Sequence, residues 1–176
     1  MENISPSSIN SLMNLIEGAS RPVIVTHMKP DGDAIGSSLA MYHFLRMSGK
    51  NDSCIVLNDR YPRYLEFLID EEARKAIRIH SENADEAIEA IRQSDLIICL
   101  DFNAFHRTEN LSQALAGSTA PKILIDHHLN PDAECFTLCF SVTEVSSASE
   151  LLYHILMAVP TIKGNASDLP SEAADA

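Results

Sequence analysis

The stretch PVIVTHMKPDGDAIGS, residues 22–37, decides the fold class of this chain. Its first five residues form a short apolar run without the alternation of a half-exposed strand, which predicts a strand buried on both faces. A polar turn follows, and an apolar-rich segment from about residue 34 to residue 47, ended by Gly49, predicts a helix. A buried strand that leads through a turn into a helix is the building unit of parallel α/β sheets.

The rest of the chain continues this alternation of short apolar runs and segments with helical spacing. Strands are predicted at residues 53–57, 95–100, 122–125 and 136–142, and further helices around residues 9–16, 84–91 and 147–156. We therefore predict an α/β domain whose mostly parallel sheet has helices on both faces. This domain is expected to cover residues 1–160. Residues 161–176, rich in small residues, proline and acids, are expected to form a loop or linker.

Composition narrows the class of protein. The 176 residues correspond to one domain, and 13 Lys and Arg against 25 Asp and Glu give a net charge of −12. That charge argues against a protein that binds long nucleic acid by neutralising phosphates, although bound cations can still recruit a small phosphorylated substrate. The sequence predicts no secretory leader and no membrane span.

The four cysteines lie in or beside apolar runs and form no C-x-x-C pair. They are Cys54, Cys99, Cys135 and Cys139. This usage predicts buried free thiols and a cytoplasmic protein.

Side chains that bind metal ions follow three of the predicted strands. His27, Asp31 and Asp33 follow the first strand, Asp101 follows the third, and residues 126–128, Asp-His-His, follow the fourth. A lone Asp at a strand end is usually a helix cap, but three such ends meet at one edge of a parallel sheet, where ligands bind. Carboxylates with a few imidazoles suit Mn²⁺ or Mg²⁺ better than a structural zinc ion, which prefers thiolates.

These residues form a recognisable pattern. The motif HxxxDxDxxGS of residues 27–37, Asp101 at its strand end and DHH at residues 126–128 resemble motifs one to three of the DHH phosphoesterase superfamily. The first motif, together with residues 146–151, is most similar to the bacterial oligoribonuclease and 3′-phosphoadenosine-5′-phosphate phosphatase branch. The resemblance spans roughly residues 24–156.

The resemblance implies a site for two Mn²⁺ ions, with Mg²⁺ or Co²⁺ as substitutes. His27, Asp31 and Asp101 are expected to hold one ion. Asp33, Asp101 and His127 are expected to hold the other, so that Asp101 bridges the two and serves as a catalytic residue.

Four further assignments concern residues around this metal site. The resemblance implies that His128 faces the substrate phosphate as a catalytic residue and that Asp126 orients a histidine. Asn103 and Arg107, which follow the third strand closely, are candidate substrate contacts. For Arg107 a salt bridge with a carboxylate is the alternative, and for Asn103 a polar supporting role.

Aromatic residues follow the second predicted strand. In YPRYLEFL, residues 61–68, the aromatic side chains are Tyr61, Tyr64 and Phe67. They could form a platform on which a base stacks, or they could pack into the core, which is the more frequent outcome.

The resemblance implies an enzyme that hydrolyses short RNA oligomers and 3′,5′-bisphosphonucleosides with water activated by two metal ions. The alternatives are a phosphodiesterase acting on cyclic dinucleotides or their linear products, a pyrophosphatase-type phosphohydrolase, and a non-catalytic metal- or nucleotide-binding module.

Two parts of the family pattern have no match in these residues. They are the fourth motif, an Asp in a Gly-x-x-x-Asp-Thr-Gly segment, and the C-terminal substrate-binding domain; Asp168 lies in a different context. We therefore expect an incomplete catalytic domain with weak or no activity alone. Its expected partners are the C-terminal domain of the same enzyme and small phosphonucleotides, with a homodimer allowed.

Overall fold

In the computed structural model, which describes residues 4–162 and 168, the chain forms a sheet of six parallel strands. The strands are β1 (Pro22–Thr26), β2 (Cys54–Leu57), β3 (Ile77–Ile79), β4 (Leu96–Leu100), β5 (Lys122–Asp126) and β6 (Leu138–Ser141). Their order across the sheet is β3-β2-β1-β4-β5-β6, so the winding direction reverses between β1 and β4. In such doubly wound sheets the ligand crevice lies at this reversal, outside the carboxyl ends of the strands.

Helices cover both faces of the sheet, which confirms the predicted α/β class. They are α1 (Pro6–Gly18), α2 (Gly32–Met47), α3 (Glu71–Ala76), α4 (Ala84–Gln93), α5 (Ser112–Gly117) and α6 (Ala148–Met157). Successive residues of β1 point to opposite faces: Ile24 joins the core formed with α1, α2 and α6, and Val25 joins the core formed with α4 and α5. Because β1 is buried on both sides, its sequence has no polar alternation.

The apolar runs of the sequence predict neither β3 nor the short helix α5. β3 is only three residues long and carries Arg78 at its centre, so no apolar run marks it. It forms because it pairs with β2, where Val56 lies opposite Arg78. Pairing with a neighbouring strand is a long-range interaction, which local periodicity does not encode.

The prediction of four buried thiols is confirmed only for Cys99, and Cys135 departs from it most. Cys135 is exposed, because residues Ala133–Cys135 form a 3-10 turn before β6 and are not part of the strand. Cys99 in β4 is fully buried, and Cys54 and Cys139 are half-buried. All four are free thiols.

The packed part of the domain reaches at least to Ile162, which is 1% exposed and belongs to the core with α1, α2 and α6. Most of the predicted linker 161–176 lies outside the described residues, so the boundary at residue 160 stays a prediction. Asp168 lines a cavity with Met47 and Lys50, at the opposite end of α2 from Asp31. Among the described residues, no helix is both long and apolar enough to cross a membrane.

Strand register brings the predicted site residues to one edge. Thr26 of β1 lies opposite Leu100 of β4, and Leu100 lies opposite Ile125 of β5. The residues that follow these three positions are His27, Asp101 and Asp126. They lie side by side, because neighbouring strands are about 4.8 Å apart.

Candidate metal centre

Asp101 lies at the centre of this edge and is 3% exposed. Its backbone adopts φ 62°, which is uncommon for a residue with a Cβ, and its N–H donates to the Ile125 carbonyl at 3.1 Å. Its Oδ1 is buried and accepts no hydrogen bond from any described residue. Burial raises the pKa of Asp101 above its usual range, although the adjacent His27 favours the charged form. A buried, unpaired carboxylate oxygen in an unusual backbone conformation is typical of a functional position.

His27 presents one ring nitrogen to two carboxylates. Its Nε2 lies 3.4 Å from Asp101 Oδ2 and 3.9 Å from Asp31 Oδ1. Its Nδ1 is 2.7 Å from the Met28 carbonyl, so we assign the proton to Nδ1, and the Nε2 lone pair then faces the carboxylates. Burial lowers the pKa of His27, but Asp101, the Met28 carbonyl and Asp31 together outweigh it, and the net pKa is raised. This tautomer is the one that coordinates a metal ion.

His127 occupies the corresponding position on the other side of Asp101. Its Nε2 lies 3.4 Å from Asp101 Oδ1 and 3.8 Å from Asp33 Oδ2. The two oxygens of Asp101 therefore face different histidines, as a carboxylate shared between two cations would.

The donor set fits divalent cations. Single ligand atoms of His27, Asp31 and Asp101 lie within 4.8 Å of one another, as predicted for the first ion. The second such group is Asp101, His127 and His128, with His128 in place of the predicted Asp33, whose Oδ2 lies 3.8 Å from His127 Nε2. Carboxylate oxygens and imidazole nitrogens without thiolates favour Mn²⁺ or Mg²⁺, and a shared cation would give the orphaned Asp101 Oδ1 a partner.

Asp33 makes contacts that the sequence did not predict. Its carboxylate accepts hydrogen bonds from the first turn of α6: from Ala148 N at 2.7 Å, Ser149 N at 2.8 Å and Ser149 Oγ at 2.6 Å. A carboxylate is favoured at a helix N-terminus, where backbone N–H groups lack partners. Asp33 thus joins the metal-binding loop to α6, and its Oδ2 also lies 3.8 Å from His127 Nε2.

His128 is oriented by Asp126, which is fully buried. Asp126 Oδ1 lies 2.7 Å from His128 Nδ1, and Oδ2 accepts from the His128 N–H at 3.2 Å. With Nδ1–H donated to Asp126, Nδ1 is not a metal ligand, and Nε2 is the atom free for a substrate. The His128 side chain is 41% exposed, in contrast to the carboxylate that holds it.

Asn103 and Arg107 lie beside this centre. Asn103 Nδ2 donates to the Leu129 carbonyl at 2.8 Å, so it holds the loop that carries His127 and His128. The Arg107 carbonyl accepts the Met28 N–H at 2.8 Å, while its guanidinium is exposed and has no ion pair with any described residue. Their roles as substrate contacts stay predictions.

Asn58, directly after β2, is a supporting residue that sequence reasoning missed. It is 1% exposed; its Oδ1 accepts from Asn110 N at 3.1 Å, and its Nδ2 donates to Asp59 Oδ2 at 3.0 Å. Asp59 in turn accepts the Lys29 N–H at 2.9 Å, and the hydrogen bond from Asn58 lowers the pKa of Asp59. The signal was available, since Asn58 and Asp59 follow a buried strand as Asp101 does.

The parallel sheet and the cluster of carboxylates and histidines at its switch point define the class of protein, and comparison with known proteins agrees with that class. The model of the DHH family, N-terminal domain, matches residues 21–176. The chain therefore belongs to the DHH family.

Individual relatives support the same assignment. The chain is 42% identical over 65 residues to the bifunctional oligoribonuclease and PAP phosphatase NrnA of Thermus thermophilus, which is 36% of this chain and 18% of that protein. Among solved structures it resembles an exopolyphosphatase-related protein from Bacteroides fragilis, with 35% identity, a TM-score of 0.87, and coverage of 97% of this chain and 47% of that one. RecJ from Thermus thermophilus in complex with Mn²⁺ shares 17% identity with a TM-score of 0.50, covering 96% of this chain and 24% of RecJ, and shows the fold alone. The chain thus spans less than half the length of these relatives.

Proposed function

We propose that this chain is the catalytic domain of a metal-dependent phosphoesterase that hydrolyses short oligoribonucleotides and 3′,5′-bisphosphonucleosides. The observation that carries the proposal is the placement of Asp101, whose two carboxylate oxygens each face a different histidine at the switch point of the sheet. Membership of the DHH family and the likeness to an oligoribonuclease and PAP phosphatase support it.

His27, Asp31 and Asp101 would hold one cation, and Asp33, Asp101 and His127 the second. The donor set supports Mn²⁺, with Mg²⁺ or Co²⁺ as substitutes. When bound, two such cations supply positive charge that activates water and stabilises the phosphoryl oxygens.

The remaining residues position the substrate. Asp126 holds the His128 ring through Nδ1, so that Nε2 points away from its buried partner and can contact a phosphate oxygen. The ring needs no reorientation when substrate binds, because Asp126 also fixes the His128 backbone N–H.

The rest of the substrate surface is proposed to come from a C-terminal domain, since the chain spans 47% of the Bacteroides fragilis relative. Without it, we expect the 176 residues to be weakly active or inactive. A homodimer is a second arrangement that the proposal allows. A cytoplasmic location fits the four free thiols.

A pyrophosphatase-type phosphohydrolase is the second candidate, because the Bacteroides fragilis relative is described as exopolyphosphatase-related. The substrates of a pyrophosphatase contain no nucleotide base, so this candidate predicts a preference for pyrophosphate over the nucleotide substrates. Cyclic dinucleotide hydrolysis and a non-catalytic binding module are further outcomes that the same assay distinguishes.

The test is product analysis with Mn²⁺ on diadenylate, 3′,5′-bisphosphoadenosine, cyclic diadenylate and pyrophosphate. It is run on the 176 residues and on the chain with whatever sequence follows residue 176 in its gene. Asp101→Asn is expected to abolish turnover, while Asp85→Asn, at an exposed position in the first turn of α4, keeps it. Preference for pyrophosphate would favour the second candidate, and Mn²⁺ binding without turnover of any substrate would favour a binding module.

A further inference from the structure

The 3-10 helix Arg63–Leu68 has one buried side and one strongly exposed aromatic side. Leu65 is 6% exposed, whereas Tyr64 is 71% and Phe67 is 82% exposed. These two rings are the most exposed large hydrophobic side chains among the described residues. Residues three apart in a 3-10 helix lie above one another, so the two rings share a face.

This helix is attached to the candidate metal centre. It follows β2, whose carboxyl end lies beside that of β1. A Cβ added to Gly32 would lie 3.9 Å from Leu65 Cδ2, so the buried side of the helix rests on the glycine between Asp31 and Asp33. The exposed rings therefore project from an element that contacts the metal-binding loop.

The same edge carries exposed cations whose side chains make no hydrogen bond or ion pair, although the charge of Lys29 contributes to lowering the pKa of Asp59. Of the Lys and Arg residues within the described part of the chain, four have no hydrogen bond or ion pair through their side chains: Lys29, Arg63, Lys75 and Arg107. Three of these follow strands at the edge of the candidate site, at β1, β2 and β4, and all three are exposed. In a chain with a net charge of −12, Arg63 and Arg107, exposed and without an ion pair to any described residue, favour an anionic ligand at this edge.

We propose that Tyr64 and Phe67 form a stacking surface for a base of a single-stranded oligonucleotide whose phosphodiester lies at the metal centre. This rests on the proposed function and deepens it, because it selects substrates that carry a second nucleotide beyond the cleaved phosphate. Aromatic faces with neighbouring cations are the usual means of holding single strands without reading sequence.

Charged side chains limit the apolar area of this surface to the two rings. A stable interface buries about 800 Å² on each partner, whereas these two rings are flanked by charged side chains, Arg63 and Glu66, the latter paired with Arg74. A base needs only one ring face. Removing a stacking ring weakens binding about 5- to 150-fold in single-strand-binding proteins.

The test is the fluorescence of diadenylate in which one adenine is replaced by 2-aminopurine, whose emission is quenched by stacking. The protein is titrated into the probe in the presence of Ca²⁺, and only readings taken while chromatography shows the dinucleotide intact are used. The same proteins are then assayed with Mn²⁺ for diadenylate hydrolysis. We expect the unsubstituted protein to quench the probe, and Tyr64→Ala and Phe67→Ala each to raise Kd at least fivefold and to reduce quenching. Circular dichroism confirms folding, which truncation of exposed rings should preserve.

Two matched variants sharpen the result. Phe67→Tyr keeps a π face and should bind as the unsubstituted protein does, whereas Phe67→Leu keeps apolar contact but should behave like the alanine variant. Tyr153→Ala removes an exposed ring on α6, 47% exposed, and should change nothing.

Distinct outcomes separate this inference from the proposed function. If the Tyr64→Ala/Phe67→Ala double variant keeps Kd and quenching, or if Phe67→Leu equals the unsubstituted protein, stacking is wrong while oligonucleotide hydrolysis stands. If the unsubstituted protein neither binds nor cleaves diadenylate but cleaves pyrophosphate, the proposed function and the inference both fall.

Discussion

The two acidic residues Asp33 and Asp101 should respond oppositely to removal of their charge when no metal is bound. Asp33 is 19% exposed through its side chain and accepts three hydrogen bonds from Ala148 and Ser149 at the start of α6. Asp101 is buried, and its Oδ1 has no hydrogen-bond partner among the described residues. Replacing Asp33 removes stabilising contacts, whereas replacing Asp101 removes a buried charge and its repulsion with other carboxylates.

The magnitude for Asp33→Ala follows from these contacts. A hydrogen bond to a charged group contributes about 1.5–3 kcal/mol, and a negative charge at a helix N-terminus about 0.3–1 kcal/mol. Water reaches part of this site and replaces some of the loss, so we expect the free energy of unfolding to fall by about 2–4 kcal/mol. For a chain of this length that lowers Tm by roughly 4–16 °C.

Asp101→Asn should leave the free energy of unfolding unchanged or raise it. The amide can donate a hydrogen bond towards the His27 Nε2 lone pair, 3.4 Å from the carboxylate in the native protein. The measurement is urea and thermal unfolding by circular dichroism in EDTA. Asp85→Ala is the control, since Asp85 is an exposed acid in the first turn of α4 and reports the helix-dipole contribution alone.

A loss for Asp33→Ala no greater than that for Asp85→Ala would refute the anchoring of α6 by Asp33. A larger loss for Asp101→Asn than for Asp33→Ala would refute the account of Asp101 as an uncompensated carboxylate. With Mn²⁺ bound, Asp101→Asn should instead lower the free energy of unfolding relative to the unsubstituted protein, because the charge of Asp101 then has a partner.

Three further predictions concern the same molecule. Asp126→Asn replaces one of the two oxygens that accept from His128 by an NH₂ group, which loosens the ring and should lower kcat about 10- to 100-fold, with Mn²⁺ affinity by calorimetry nearly unchanged; an equal loss of metal binding would contradict this. Calorimetry on the 176 residues should show one Mn²⁺ site or two of clearly unequal affinity, both lost in Asp101→Ala, whereas two equally tight sites would mean that no ligand is missing. Iodoacetamide at pH 8 should alkylate exposed Cys135 first and leave Cys99 unmodified in the folded protein, because burial raises the pKa of Cys99; peptide mass spectrometry reads the order directly.

The sequence predicts the sheet well because parallel strands buried on both faces must be continuously apolar. β1 and β5 were predicted within one residue at either end for this reason. β3 lacks that signature, because a three-residue edge strand with Arg78 in its middle is stabilised by pairing with β2 and not by its own composition. α3 has no apolar run either, since four of its six residues are charged, and only the acids at its start, favoured by the helix dipole, indicate it.

The candidate site could be predicted only in part, because strand ends reveal which residues meet but not what else they touch. His27 and Asp101 are adjacent through strand register, which the apolar runs determine. The contact of Asp33 with Ser149 joins positions 116 apart in the chain and leaves no local pattern. The start of α6 shows the same limit: Ser147 and Glu150 have the spacing of a capping box, but the Glu150 carboxylate accepts from Ser146 and not from the cap residue Ser147.

The bond between Asp33 and the start of α6 has a consequence for synthesis on the ribosome. The chain emerges amino end first, so the first metal-binding motif is exposed while more than a hundred residues remain to be made. Until α6 emerges, the Asp33 carboxylate lacks the donors that fix its position, and β4 and β5 must already have aligned His27 with Asp101 and His127. The ion-binding set that includes Asp33 can therefore assemble only after residues 148 and 149 have emerged, later than the set of His27, Asp31 and Asp101.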